Sequence, residues 1–98
     1  MLLWVIYDIQ ENKVRTKISK SCLNFGLYRV QKSVFLGEVA KNRFEELKLI
    51  TKDVINPETD SVYFLPTSKE FIDKSYLIGQ SFDEELVLDE ITSKFFRI

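Results

Sequence analysis

Six apolar residues followed at once by an acid, Leu2-Leu3-Trp4-Val5-Ile6-Tyr7 and then Asp8, restrict this chain more than any other stretch. The run is rich in aromatic and β-branched residues and far too short to cross a bilayer, so it reads as a strand. Leu2, Trp4 and Ile6 fall on one side of it, and Leu3, Val5 and Tyr7 on the other. A strand apolar on both faces is normally central and covered twice. Asp8 continues the side of Trp4 and Ile6. A carboxylate at the C-terminal end of a buried strand, just before a helix, is where open α/β sheets often build metal and phosphate chemistry. An aspartate there also serves as a helix cap or turn former. This stretch alone leaves both readings open.

The 98 residues are enough for one domain with one modest core, and a hydrophobic content of 45% argues against wholesale disorder. Aromatics at 13% hint at more apolar surface than one small core can hide. The single Cys22 excludes an internal disulfide and points to a reducing compartment. With no histidine and one cysteine, any metal must be held by oxygen ligands, which favours Mg²⁺ or Mn²⁺. No secretory signal is visible and no segment is long enough to span a membrane, so a cytoplasmic location is expected. The net charge of −1 hides an asymmetry: residues 1–50 hold nine Lys/Arg against five Asp/Glu, and residues 51–98 hold five against ten. Lys13, Arg15, Lys17, Lys20, Arg29 and Lys32 cluster within residues 11–32, opposed there only by Glu11. Such a cluster can attract a polyanion; on a helix taken at random the same pattern is more often a solvated face.

After Asp8, a helix starts near Gln10-Glu11-Asn12, with Asn12 as the expected cap. Val14, Ile18, Cys22 and Phe25 form its apolar stripe, Lys13, Lys17 and Lys20 share another face, and Gly26 stops it. Residues 27–39 are extended: Tyr28, Val30, Val34 and Leu36 alternate with Arg29, Gln31, Ser33 and Phe35. They form either one long bent strand or two short strands reversing near Lys32-Ser33. A second helix is expected over residues 40–54, with Ala40, Phe44, Leu47, Ile50 and Val54 inward. The turn Asn56-Pro57-Glu58-Thr59-Asp60 leads to a strand from Ser61 to Leu65 that Pro66 ends. One more strand is expected around Tyr76-Leu77-Ile78, between Lys74 and Gly79. The acidic tail that follows finishes as Phe95-Phe96-Arg97-Ile98. This order predicts an α+β fold, a ferredoxin-like βαββαβ sandwich with two helices on one face of an antiparallel sheet. Its other face is then expected to be buried in a homodimer, sheet against sheet, bringing two Asp8 residues together. A tail from about 80–98 is expected to pack on the partner protomer.

Tyr7-Asp8-Ile9, Arg15, the run Gly26-Leu27-Tyr28-Arg29-Val30-Gln31-Lys32-Ser33-Val34-Phe35-Leu36-Gly37-Glu38, and Pro57-Glu58-Thr59-Asp60-Ser61-Val62 together resemble CRISPR-associated protein two, the small adaptation protein that partners the CRISPR integrase. The resemblance covers about residues 1–66, in the family's order and spacing. It implies a ferredoxin-like homodimer in which Asp8 of each protomer binds Mg²⁺, and a metal-dependent endonuclease acting on RNA, in some cases on DNA. It also implies that the dimer bridges integrase dimers and contacts the backbone of captured DNA during spacer acquisition. Tyr7, Arg15, Arg29 and Phe35 stand where the family's other functional residues stand. Lys17 holds a place often filled by Arg, and Lys32 a place where an aromatic is common. Two alternatives to a working nuclease remain: a purely structural DNA- and integrase-binding scaffold, and a related stand-alone RNA-cleaving toxin.

Overall fold

The computed structural model describes residues 1–76, 78 and 79. In chain order they form β1 (Leu2–Asp8), α1 (Asn12–Asn24), β2 (Tyr28–Gln31), β3 (Val34–Glu38), α2 (Lys41–Val54), β4 (Ser61–Thr67) and α3 (Lys69–Lys74). The first six elements are the expected βαββαβ. The sheet order is β2-β3-β1-β4 with every neighbouring pair antiparallel. The doubly apolar β1 is central, as its composition requires.

Residues 27–39 form two strands. Lys32 and Ser33 reverse the chain, and Gln31 pairs with Val34. Among the described residues no side-chain-bearing residue has positive φ, so this is not the Asn-Gly type of hairpin turn. An irregularity between Arg29 and Gln31 supplies the local twist instead.

Leu3, Val5, Tyr7 and Ile9 meet Ile18 and Cys22 of α1, Leu47 of α2, and Leu27, Phe35 and Val39 in the main core. The predicted α1 stripe is correct, but its cap is Glu11, and Asn12 is the first helical residue. At the other end, Gly26 adopts φ 86°, its N–H donates to Leu23 O, and Leu27 N–H donates to Cys22 O, closing the helix. In α2, Leu47 and Thr51 are buried, Phe44 and Val54 are partly buried, and Ile50 is 37% exposed. The inward stripe is therefore 44-47-51-54, with Ile50 and the exposed Ala40 off it. Thr51 is accommodated because its hydroxyl donates to Leu47 O at 2.8 Å.

Pro66 does not end β4; it lies inside that strand, opposite Leu3. An edge strand tolerates this, because one row of its N–H groups faces no neighbour. The strand expected between Lys74 and Gly79 is absent from the described residues: Lys74 closes α3, and neither Tyr76 nor Ile78 is extended in a sheet. Leu77 and the expected 80–98 tail lie outside the described residues. The short helix α3 was not anticipated. Its start is marked by Ser68, whose hydroxyl accepts from Phe71 N–H at 3.2 Å. Ile72 from α3 packs with Leu2, Val30 and Leu36 on the sheet face opposite α1 and α2. Among the described residues, that second face is thus covered only at one end. Trp4, Ile6 and Val34 are half-buried, while Tyr63 and Leu65 are 57% and 44% exposed.

Gly37 marks a close backbone approach. A Cβ there would lie 3.1 Å from Gly26 O, Leu27 Cα and Leu27 Cδ2. Two of these are backbone atoms that cannot swing aside. Gly37→Ala is expected to destabilise the fold by about 1–2 kcal/mol, seen as a lower urea midpoint with an unchanged slope.

Candidate functional site

Two features occupy the same end of the sheet, where β1 finishes, β3 begins and β4 begins. The first is Asp8. It pairs in register with Ser61 of β4 and continues the Leu2-Trp4-Ile6 side. It is exposed, and no hydrogen bond or ion pair among the described residues engages its carboxylate. Among the described residues no three Asp, Glu or Cys side chains converge to hold a metal. Among the described residues, Asp8 thus offers one unspent carboxylate ligand beside the incompletely covered apolar patch of Ile6, Val34 and Tyr63.

The second feature is a cleft of about 730 Å³ on the helix side, lined by Tyr7, Asn12, Arg15, Thr16, Ser19, Lys20, Arg29, Lys32 and Ser33. Among the described residues four cations and no carboxylate line it, a set that suits an anion. Helix α1 contributes Arg15, Ser19 and Lys20 from successive turns, and the β2–β3 hairpin contributes Arg29, Lys32 and Ser33. Arg29 lies over the Phe35 ring at 5.1 Å and donates from Nη2 to Ser19 Oγ at 2.9 Å. Tyr7 is 5% exposed, stacks near Phe35 at 6.2 Å, and donates its hydroxyl proton to Lys32 O at 3.1 Å. It therefore fixes the turn that presents Lys32. Phe35 is fully buried; it is the floor beneath Arg29 and cannot itself touch a ligand.

The residues anticipated from sequence divide between these features. Tyr7, Arg15 and Arg29 share the cleft, with Phe35 below. Asp8, although next to Tyr7, is on the other side of β1. Of the six anticipated basic residues, Arg15, Lys20, Arg29 and Lys32 line the cleft, whereas Lys13 and Lys17 are exposed on α1 outside it. Sequence reasoning missed Ser19, whose position four residues after Arg15 was the available signal. It also read Asp60 only as part of a turn. Asp60 Oδ1 accepts from Gln10 N–H at 3.1 Å and Oδ2 accepts from Asn56 N–H at 3.0 Å. These bonds, Gln10 first, hold its carboxyl below the ordinary value of 3.8. The contribution is complete above that ordinary value and is lost as pH falls through the lower folded value.

Cys22 is buried in the core, and burial pushes its thiol up to about 12, against the smaller opposing pull of Arg29. It remains a neutral thiol and is no nucleophile at neutral pH. Among the described residues no helix is long and apolar enough to cross a membrane.

Residues 1–74 match the family described as CRISPR associated protein Cas2. The chain is 40% identical over 62 residues to a protein named CRISPR-associated endoribonuclease Cas2 from Desulforudis audaxviator, a match covering 63% of this chain and 58% of that one. A second relative of that name, from Pyrobaculum aerophilum, is 43% identical over 56 residues, covering 53% of this chain and 62% of its own. Both matches thus span about three fifths of the relative's length. A third, from Chloroflexus aurantiacus, is 31% identical over 81 residues, covering 82% and 94%. Among solved structures, Streptococcus pyogenes Cas2, crystallised at pH 6.5, superposes with a TM-score of 0.74 at 28% identity, covering 81% of this chain and all of that one. A hypothetical protein from Thermus thermophilus gives a TM-score of 0.64 at 27% identity, with 68% and 80% covered.

Proposed function

The chain belongs to the Cas2 family of CRISPR-associated proteins, and from that premise we propose that it is a metal-dependent endoribonuclease whose active unit is a homodimer. The observation that carries this reading is Asp8: an exposed carboxylate with no partner among the described residues, at the end of a central strand, on an incompletely covered apolar face. A second copy seated on that face brings a second Asp8 to the first. Two carboxylates and several waters suit the oxygen-rich, six-coordinate preference of Mg²⁺ or Mn²⁺. Bound there by the two Asp8 carboxylates, such an ion would supply polarisation of a phosphoryl oxygen and a lowered pKa for a bound water.

The chain's own side chains then bind and orient the nucleic acid. Arg15, Lys20, Arg29 and Lys32 hold backbone phosphates, and Asn12, Thr16, Ser19 and Ser33 add neutral hydrogen bonds. Tyr7, the one aromatic lining the cleft among the described residues, is nearly covered and offers no open ring face for a base to stack on. Recognition is therefore of charge and backbone shape. RNA is the substrate class favoured by the names of the relatives.

A second reading rests on the cleft: it lies on the helix side, apart from the Asp8 side, so backbone binding there does not need Asp8. The dimer then also works in CRISPR adaptation in the cytoplasm, holding captured DNA and bridging the integrase.

Light scattering at micromolar concentration is expected to give about twice the 11.6 kDa chain mass, and titration with Mn²⁺ one ion per two chains. A clean monomer overturns the dimer. One ion per chain overturns the shared site and leaves the dimer standing.

A further inference from the structure

The peptide group joining Ile9 to Gln10 is gripped at both ends. Its carbonyl oxygen accepts from Arg15 Nη1 at 3.0 Å, and its N–H donates to Asp60 Oδ1 at 3.1 Å. A guanidinium on the oxygen and a carboxylate on the N–H pull the peptide dipole in the same direction, so each bond strengthens the other. Both grips are anchored. Arg15 springs from the first turn of α1 and also donates from Nη2 to Asn12 Oδ1. Asp60 sits in a closed turn: Oδ2 accepts from Asn56 N–H at 3.0 Å, Oδ1 accepts from the Thr59 hydroxyl at 3.1 Å, and the Asp60 N–H donates to Asn56 O at 2.8 Å.

The clamped peptide starts one residue after Asp8, and Ser61, next to Asp60, is the register partner of Asp8 on β4. Asp8 is thus bracketed by strand pairing and by the clamp just after it. A strand end without such a tie frays.

We infer that Arg15 and Asp60 are positioning residues for Asp8, fixing the peptide one residue beyond it so that its carboxylate stands at one height above the incompletely covered sheet face. This rests on the reading of Asp8 as a metal ligand. It gives Arg15 a task besides phosphate binding, and Asp60 a task beyond the turn. The lowered carboxyl of Asp60, whose largest cause is the Gln10 N–H, fits a grip made by the ionised form.

The test uses Mn²⁺ alone, titrated into the full chain without nucleic acid and followed by water-proton relaxation, with thermal melts to verify folding. Arg15→Ala is the discriminating variant. Removing a cation should by charge alone tighten Mn²⁺ binding, whereas loss of positioning weakens it, by roughly tenfold as for outer partners of metal ligands. Asp60→Ala is expected to weaken binding to a similar degree, and Asp60→Asn, which keeps an oxygen for the Gln10 N–H, to recover most of it. Exchange of the Gln10 amide should quicken in both alanine variants. Tighter or unchanged Mn²⁺ binding in folded Arg15→Ala overturns the inference; if that variant unfolds, unchanged binding in Asp60→Ala does so. If Asp8→Asn binds Mn²⁺ as well as the unaltered chain, the ligand reading fails and takes this role with it. Binding that needs Asp8 but ignores Arg15 and Asp60 overturns the positioning role alone.

Discussion

Asp8→Asn is expected to remain a folded dimer while metal-dependent RNA cleavage falls by at least about a hundredfold. The substitution keeps the side chain's shape and removes one charge from each protomer. Metal-assisted phosphoryl chemistry draws several kcal/mol from the ion, and each 1.4 kcal/mol or so is a factor of ten in rate. Asp8 is exposed and makes no hydrogen bond among the described residues, so the fold loses nothing by the change. In the proposed dimer the metal-free form is expected to gain slightly, since the two like charges placed together there would be removed. The assay is cleavage of a labelled RNA with and without Mg²⁺, beside a thermal melt. Full cleavage by the variant removes Asp8 from the reaction. If the same variant still supports DNA integration, the scaffold reading gains; if integration is lost with the fold intact, that reading fails.

The second large effect belongs to the cleft. Reversing Lys20 and Lys32 together to Glu is expected to weaken binding of single-stranded RNA by tenfold or more per lost contact, taking roughly 1.5 kcal/mol for a hydrogen bond to a charged group. The dependence on salt should flatten as well, the log–log slope falling by about 0.7 for each lost phosphate contact to a single strand. Lys13→Glu with Lys17→Glu is the matched control: the same charge change on α1, outside the cleft, with a smaller effect on the slope. Equal effects from the two pairs would mean that the whole helix surface attracts RNA and that the cleft has no special part.

The parts of this molecule set by side-chain periodicity were readable in its sequence. The double-faced run at β1, the α1 stripe of Val14, Ile18 and Cys22, and the Gly26 stop all rest on local rules. What escaped was set by tertiary surroundings. Pro66 reads as a strand end, yet an edge position lets it stay within β4. Ile50 is as apolar as Leu47, but the neighbouring sheet selects the 47-51 side and lets Thr51 hide its hydroxyl on its own helix. Helix α3 is too short for a periodic pattern, and only Ser68 announced it. In the candidate site, the residue types were visible and their grouping was not. The cationic set splits because α1 turns Lys13 and Lys17 away from the hairpin that brings Arg29 and Lys32 to Lys20. Asp60 was invisible as a clamp because its partner, Gln10, is fifty residues away in the chain.

Tyr7 and Asp8 are successive residues that serve opposite sides of one strand, and this makes the length of β1 less forgiving than its composition. Exchanging one apolar side chain for another of similar size changes packing by degrees. Inserting or deleting a single residue between Leu2 and Tyr7 instead turns over everything on one side of the change. If the pairing after the change is kept, the leading residues swap faces. If the pairing before it is kept, the carboxylate of Asp8 is driven into the helix-covered core and the phenol of Tyr7 out of it. An added pair of residues restores the faces but slides one part of β1 along β3 and β4 by roughly 6.6 Å, parting Asp8 from Ser61 or Leu2 from Glu38. Among related chains, the stretch from the start of this strand to its acid should therefore vary freely in which apolar residues it holds and hardly at all in how many.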